Sequence, residues 1–238
     1  IAKRKPFADG KSFGSVGPYE RIVGKVHYEL DPDHPKNRNV IDLKLVPRND
    51  RGRVEFSSDV FILAPVDLSK GNGALLYDVN NRGNKLALGF FNRGGGGNDP
   101  HSESHAGDGF LMRHGFTLVW SGWDGELLPG NNRLRLCPPL ALSKEDNDPI
   151  TGTVRCEIVP TSNTNRMVIN WANHGSYRPT ANGLKKMTLT HRALPSHPRV
   201  PIARDKWMLH VTEVDSDCAN QLPKVELEFP EGLQKGHI

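Results

Sequence analysis

One segment near the amino terminus has the spacing of a serine nucleophile. Residues 10–14 read Gly-Lys-Ser-Phe-Gly and match the pattern G-x-S-x-G, in which a serine attacks an acyl carbonyl. Such a serine needs a buried strand before it and a helix after it. Here the basic run 3–5 and Pro6 precede the motif, and Ser15-Val16-Gly17-Pro18 follows it. We therefore predict that Ser12 lies in a polar turn and is not a nucleophile.

Two histidines have the spacing of a metal-binding pair on a helix. His101 and His105 are four residues apart, but their segment also contains Pro100 and the run Gly94–Gly97. That composition predicts a flexible loop over residues 93–107 rather than a helix, and metal ligands need a rigid frame. We predict neither a metal site nor a cofactor.

The cysteines indicate at most one disulfide bond. Cys137, Cys156 and Cys218 are an odd number, without C-x-x-C spacing. This excludes a disulfide scaffold, and no sequence neighbour identifies a reactive thiol.

The stretch 77–85 carries the most informative polar residues. A continuous apolar segment, predicted to be a central strand, runs here into Asn81, Arg82 and Gly83. In open α/β sheets, ligands bind where strands end, and in α/β-hydrolases a loop after such a strand supplies one backbone N–H to the oxyanion hole. The alternative is a turn that uses Asn and Gly for left-handed conformations, which the spacing alone favours.

A second polar stretch follows another buried strand. Trp120, Trp123 and Asp124 lie there beside glycines, and aromatic side chains often line ligand pockets. The two tryptophans could equally cap the core. Both interpretations fit the sequence.

The strands that would position these residues show two patterns. Apolar and polar residues alternate over 25–30, 154–158, 207–212 and 224–229, which predicts half-buried antiparallel strands. Residues 60–64, 74–79 and 116–120 are continuously apolar, which predicts strands in the middle of a covered sheet. Residues 109–114, with Asp108 as the N-cap candidate, predict a short helix that joins the last two in a right-handed βαβ unit.

Composition limits the class of protein. The chain has 238 residues, 36% of them hydrophobic and 24% charged, and its 24 Gly and 18 Pro are too many for a helical bundle. The 31 Lys and Arg are interspersed with 27 Asp and Glu, so the net charge of +4 does not indicate a nucleic-acid binder. The longest apolar run is residues 60–66, too short to span a membrane, and no signal segment is visible.

These features predict a β-rich α/β protein with low helix content. Residues 1–134 would form the first strands and first short helix of a mixed sheet, and residues 135–238 an antiparallel β-rich region. The chain begins at Ile1 without a Met, so we expect a processed or excised piece of a longer protein. The compartment is not assigned.

An ordered series of segments resembles a known family. The segments are GPYERIVG at 17–24, DP at 31–32, NVIDL at 39–43, GRVEF at 52–56, LYDVNNRG at 76–83 and GWDG at 122–125. In this order they look like the amino-terminal portion of the bacterial "alpha/beta hydrolase domain" proteins, predicted to be serine esterase-like enzymes. The resemblance covers most of residues 13–142 and is weaker beyond them.

The resemblance implies an α/β-hydrolase-like sheet in which residues 74–79 form the strand before the oxyanion loop and residues 135–238 form a cleft-shaping insertion or lid. The chain would be part of a carboxylic-ester hydrolase, with a small ester as substrate. Asn81, Arg82 and Gly83 would be the oxyanion or substrate loop, with Trp120, Trp123 and Asp124 as cleft-wall candidates. The catalytic Ser, acid and His would come from a remaining half, on the same polypeptide or on a second chain.

An alternative of another class is a non-catalytic, β-rich binding or assembly domain. A hydrolase half should leave the apolar strands 60–66 and 116–120 with uncovered edges and should aggregate or require its partner. A binding module should be a soluble monomer.

Overall fold

The computed structural model describes residues 1–171, 173–233 and 235, and it confirms a β-rich chain with low helix content. About 16% of the chain is helical and 31% is in strands, with one mixed sheet. The chain divides into two compact units. The first contains residues 1–125, 129–150 and 218–220, and the second contains residues 126–128, 151–217 and 221–238. The predicted division at residue 134, between a hydrolase-like sheet and its insertion, stays a prediction.

The first unit is built on a six-stranded sheet. Its strands are β1 (Lys3–Pro6), β2 (Tyr19–Leu30), β3 (Val54–Pro65), β4 (Leu75–Tyr77), β5 (Thr117–Ser121) and β6 (Leu136–Cys137). Their order is β1-β2-β3-β5-β4, and β6 pairs with the first half of β3. All neighbours are antiparallel except β4 and β5, which are parallel. The sheet is therefore mixed, as predicted.

Three short helices connect β4 to β5, namely α1 (Ala87–Asn92), α2 (Glu103–Ala106) and α3 (Phe110–Arg113). The predicted helix near residues 109–114 is confirmed as α3, and the parallel pairing confirms a βαβ unit. Gly109 occupies the N-cap position, and the Asp108 carboxylate accepts the N–H of Phe110. The prediction that residues 93–107 contain no helix is wrong, because Ser102 forms a capping box with His105 that begins α2.

The core of the first unit lies between the sheet and these helices. Its members are large side chains with almost no exposed surface, including Phe7, Tyr19, Leu63, Leu111, Met112, Leu118 and Trp120. The Tyr19 hydroxyl shares its one proton between the carbonyl oxygens of Met112 and Phe116, which lie 3.2 and 3.0 Å away. This burial raises the pKa of Tyr19 to about 12. The hydrogen bonds of Tyr19 connect β2 to the βαβ unit.

The position of β4 differs from the prediction. The continuous apolar run 74–79 predicted a central strand, but β4 is the edge strand of the sheet, and Leu75 and Tyr77 are 60% and 50% exposed. The hydrolase interpretation predicted uncovered edges for the strands 60–66 and 116–120. Instead, β3 is paired on both sides over residues 60–63, and β5 lies between β3 and β4. An apolar run is suited to a covered strand, but it determines neither which neighbours the strand pairs with nor whether its side chains are buried.

The described residues of the second unit form two small antiparallel sheets and one α-helix. Its elements are β7 (Thr164–Val168), α4 (Ala181–Lys186), β8 (Leu189–His191), β9 (Val200–Ile202), β10 (Met208–Thr212) and β11 (Lys224–Leu233). The strand order is β10-β11-β7 in one sheet, and β8 pairs with β9 in the other. Trp207, Leu227 and Phe229 form its core. The alternating strands near 207–212 and 224–229 are confirmed.

The alternating segment 154–158 is not a strand. It has no regular secondary structure and Val154 is exposed, so this prediction is wrong. Alternation marks a segment able to become a strand, but pairing also needs an edge within reach.

Six 3-10 helices complete the regular structure of the described residues: Ala8–Gly10, Gly14–Val16, Pro35–Asn37, Leu43–Leu45, Leu68–Lys70 and Arg204–Lys206. None of the described helices has the length and hydropathy that crossing a membrane requires.

A disulfide bond links Cys137 of β6 to Cys218, within the first unit. The third cysteine, Cys156, is free and exposed. The sequence permitted one such bond without indicating which cysteines form it.

Candidate functional site

The parallel pairing of β4 and β5 brings their carboxyl ends to the same edge of the sheet. The polar segments 78–85 and 121–124 follow these two ends. The Asn80 side-chain amide donates to the carbonyl of Ser121 over 2.6 Å, and the Trp123 indole N–H donates to the carbonyl of Asn80 over 2.7 Å. The structure thus joins the two segments that the sequence analysis treated separately.

Residues 81–84 form a tight hairpin turn. The backbones of Asn81 and Asn84 exchange two hydrogen bonds of 3.1 Å, and the two residues between them have positive φ angles, 48° at Arg82 and 81° at Gly83. Positive φ at both central positions is characteristic of a type I′ turn, which favours glycine at the second position. The interpretation of this stretch as a turn with left-handed conformations is therefore confirmed for Gly83, but the other left-handed residue is Arg82 and not an asparagine.

Besides the N–H of Asn84, which donates to Asn81, two further N–H groups of this turn have acceptors within the chain. The N–H of Asn81 donates to Asn84, and the N–H of Gly83 donates to the side-chain oxygen of Asn80 over 2.7 Å. A β-carbon at Gly83 would lie 2.8 Å from the carbonyl oxygen of Leu134, so the turn also packs closely against residues 133–134. The turn is therefore closely packed within the first unit.

The three cleft-wall candidates lie in different environments. Trp120 is fully buried, its indole N–H donates to Asp78 over 2.5 Å, and its ring meets Phe61 edge to face at 5.8 Å. Trp120 is therefore a core residue and lines no cleft. Trp123 is 48% exposed, and Asp124, which is partly exposed, accepts the N–H of Leu136 through its carbonyl. The interpretation that a tryptophan covers the core therefore holds for Trp120. Trp123 and Asp124 lie at the surface.

Asp78 was not singled out by the sequence analysis, yet it organises this edge of the sheet. Besides the Trp120 indole, its Oδ2 accepts the N–H groups of Leu86 and Ala87 at 3.2 and 3.0 Å. A carboxylate at this position stabilises the first turn of α1, because the N–H groups there lack partners within the helix. The sequence did contain a signal for Asp78, since it is an acidic residue directly after the apolar strand β4.

Lys85 is the second residue that the sequence analysis did not single out. It is only 8% exposed, and its ammonium donates to the carbonyls of Asn98 and Asn132 over 2.5 and 3.3 Å while lying 4.7 Å from the centre of the Phe61 ring. Burial lowers the pKa of Lys85 to about 8, although the negative charges of Asp99 and Asp59 oppose this shift. Buried titratable groups of this kind are frequent at functional sites.

The histidine pair has a structural explanation. The rings of His101 and His105 lie 4.8 Å apart, and His105 Nδ1 lies 2.7 Å from the Ser102 hydroxyl as part of the capping box of α2. Burial and the neighbouring His101 lower the pKa of His105. The spacing of four residues therefore reflects the start of a short helix.

Ser12 lies where the sequence analysis placed it. It forms an isolated bridge with Pro18, between the 3-10 helices Ala8–Gly10 and Gly14–Val16. A buried strand does not lead into it and an α-helix does not follow it. Ser12 therefore lacks the geometry of a nucleophile elbow.

The arrangement here offers an exposed Trp123 and a partly exposed Asp124 beside a turn that the Asn80 side chain holds by a hydrogen bond. Such a surface can contact and orient a ligand. Comparisons of the chain with protein-family models, curated proteins and solved structures found no match.

Proposed function

We propose that this chain is part of a serine hydrolase of the carboxylic-ester type, in which it supplies the strand before the oxyanion loop and a cleft-shaping β-rich region. The observation that carries the proposal is the order β4, polar turn, helices and parallel β5, with β5 next to the antiparallel β3. An α/β-hydrolase-like sheet that begins in this way would place the turn 81–83 beside the reacting carbonyl.

In this proposal, the nucleophile, the acid and the histidine belong to a remaining half, on the same polypeptide or on a second chain. Ser12, which alone matches the nucleophile pattern, lies in a turn without the required strand and helix. The remaining half would supply a Ser that attacks the ester carbonyl, assisted by a His as general base.

We expect the remaining half to pair with the outer side of β4, the last strand in the order of the sheet. Leu75 and Tyr77 expose apolar side chains at this edge, whereas β1, at the opposite edge, carries Lys3, Arg4 and Lys5. Charged edge strands resist pairing with other strands, and apolar ones invite it. This difference supports extension of the sheet beside β4.

The role proposed for the turn requires one change in hydrogen bonding. The N–H of Gly83 now donates to the Asn80 side chain, so it would have to exchange that acceptor for the substrate oxygen. One oxyanion donor contributes about 3 kcal/mol to stabilisation of the transition state. Trp123 and Asp124 would flank the substrate.

The alternative is a non-catalytic binding or assembly domain, and the same hydrogen bonds favour it. The N–H groups of Asn81 and Gly83 are satisfied within the chain, as expected of a turn with a purely structural role. The exposed Trp123 would then be a binding residue.

Labelling with a fluorophosphonate, read by intact mass, separates these functions. We expect no adduct on this chain alone, and an adduct on the remaining half when both are mixed. An adduct on this chain would contradict the proposal, and its loss in Ser12→Ala would identify the nucleophile. No adduct under either condition would favour the binding domain.

A further inference from the structure

A cleft of about 240 Å³ lies between α1 and the glycine run 95–97. Apolar side chains of Leu86, Leu88, Phe90 and Pro100 line it, together with the backbone of the glycines. Lys85 also lines it and is the only charged residue that does so among the described residues. The cleft lies entirely within the first unit.

Two glycines of this lining are not explained by the chain itself. Gly89 is inside α1, where glycine weakens a helix relative to alanine, and Gly96 is in the middle of the glycine run. Neither has a positive φ, and a β-carbon at either position would have no described atom within 4 Å. Neither backbone conformation nor packing therefore requires glycine there.

At two neighbouring positions, by contrast, the structure of the chain itself requires glycine. A β-carbon at Gly94 would lie 2.2 Å from the carbonyl oxygen of His105, and Gly97 has a φ of 145°. Glycine also allows a ligand to approach the backbone closely, and side chains at Gly89 and Gly96 would occupy space beside the cleft. Both positions border the cleft, where the absence of a side chain leaves the backbone open to contact.

The charge of the lining indicates what kind of ligand it is. Lys85 makes no ion pair within the described residues. The two acidic residues whose charges act on it, Asp99 and Asp59, already pair with other cations. Asp99 pairs with Arg21 at 2.6 Å, and Asp59 pairs with Lys25 at 2.8 Å. Two carbonyl oxygens and the face of the Phe61 ring surround the ammonium, and none of these groups carries a full negative charge. A buried ammonium without an ion pair is complemented by an anion.

We propose that this cleft binds a small carboxylate with an apolar body, with the carboxylate toward Lys85 and the body against α1. The cleft volume of about 240 Å³ lies below the range typical of pockets for drug-sized ligands, which suits a short-chain or single-ring carboxylic acid. The proposal goes beyond the hydrolase function and does not need it, because binding is a property of this chain without a remaining half.

Isothermal titration of the 238-residue chain with hexanoate tests the proposal. We expect saturable binding by the unmodified chain and binding weaker by roughly tenfold in Gly89→Leu and Gly96→Leu, because the added side chains occupy the cleft. Gly152→Leu is the matched control: Gly152 also has open space around it but does not line the cleft, so its affinity should equal that of the unmodified chain.

The choice of ligand tests the charge. Hexanol and hexylamine should bind more weakly than hexanoate, and Lys85→Met should weaken hexanoate binding while leaving hexanol binding unchanged. Melting temperatures of all variants show that each is folded. No hexanoate binding at millimolar concentration, equal binding of hexanol, or unchanged affinity in both leucine variants of the cleft glycines would overturn the proposal.

Discussion

Asn80 is the residue that holds the candidate site together. It is buried, its side-chain oxygen accepts the N–H of Gly83, its amide donates to Ser121, and its carbonyl accepts the indole of Trp123. Because each of these groups has a partner, Asn80 fixes the turn relative to the end of β5. It is a positioning residue for the loop that we propose as the oxyanion loop.

Lys85 is costly to the folded state, and the cost depends on pH. In the unfolded chain its pKa is about 10.4, whereas burial lowers it to about 8 in the folded chain. Between these values the unfolded chain binds more protons, so the free energy of unfolding should rise with pH. The penalty is fully present below pH 8 and is relieved above it.

Lys85→Met should remove this pH dependence. Between pH 8 and pH 10, we expect the stability of the unmodified chain to increase relative to Lys85→Met by about 2 kcal/mol. Urea unfolding followed by circular dichroism at several pH values measures the difference. Lys70→Met, which removes an exposed lysine, is the control for loss of one charge. A difference between the unmodified chain and Lys85→Met that is constant from pH 7 to pH 10 would contradict the prediction.

At the scale of the elements, the two edges of the large sheet differ in chemistry. β1 carries Lys3, Arg4, Lys5 and Pro6, and each of these residue types discourages strand addition. β4 carries Leu75, Leu76 and Tyr77, with unpaired backbone groups on its outer side within the described residues. An edge of this kind can pair with a further strand from a partner.

Tyr77→Lys should therefore reduce self-association of the isolated chain. A charge on the β4 edge opposes pairing of this edge with another strand, so we expect a smaller associated fraction at equal concentration. Light scattering coupled to size-exclusion chromatography measures it. Ile41→Lys is the control, because Ile41 is 86% exposed but lies outside the sheet. Equal effects of the two substitutions would show that general solubility, rather than the edge, controls association.

At the scale of the whole molecule, the disulfide closes a long loop. Cys137 and Cys218 are 81 positions apart, and the enclosed segment contains most residues of the second unit. Cross-linking restricts the unfolded chain more than the folded one, and the effect grows slowly with loop length. The bond therefore contributes to the stability of the first unit.

The double variant Cys137→Ser with Cys218→Ser should lose about 4 to 5 kcal/mol of unfolding free energy. Without the disulfide, the unfolded chain gains conformational entropy and is therefore favoured. Urea unfolding measures the loss, and Cys156→Ser, at the exposed free cysteine, should leave stability unchanged. Thiol titration should find one reactive group before reduction and three after it. Three thiols before reduction would show that the bond does not form.

Local patterns in the sequence determined the β-rich class, the low helix content and several elements. The continuous run at 60–64, the alternation at 224–229 and the helix near 109–114 depend on side-chain periodicity and capping, which neighbouring residues decide. The turn at 81–84 also belongs here in part, since Gly83 readily adopts the left-handed backbone angles of its second central position, whereas Arg82 at the first gives no such local signal.

Only the tertiary structure decided which residues meet. The edge position of β4, the burial of Trp120 and Lys85, and the pairing of Cys137 with Cys218 all depend on contacts between distant parts of the chain. The segment 154–158 shows the same limit, because its alternation is suited to a strand that has no partner. A sequence pattern reports the preference of a segment for a conformation, whereas pairing, burial and charge environment are set by whichever segments pack against it.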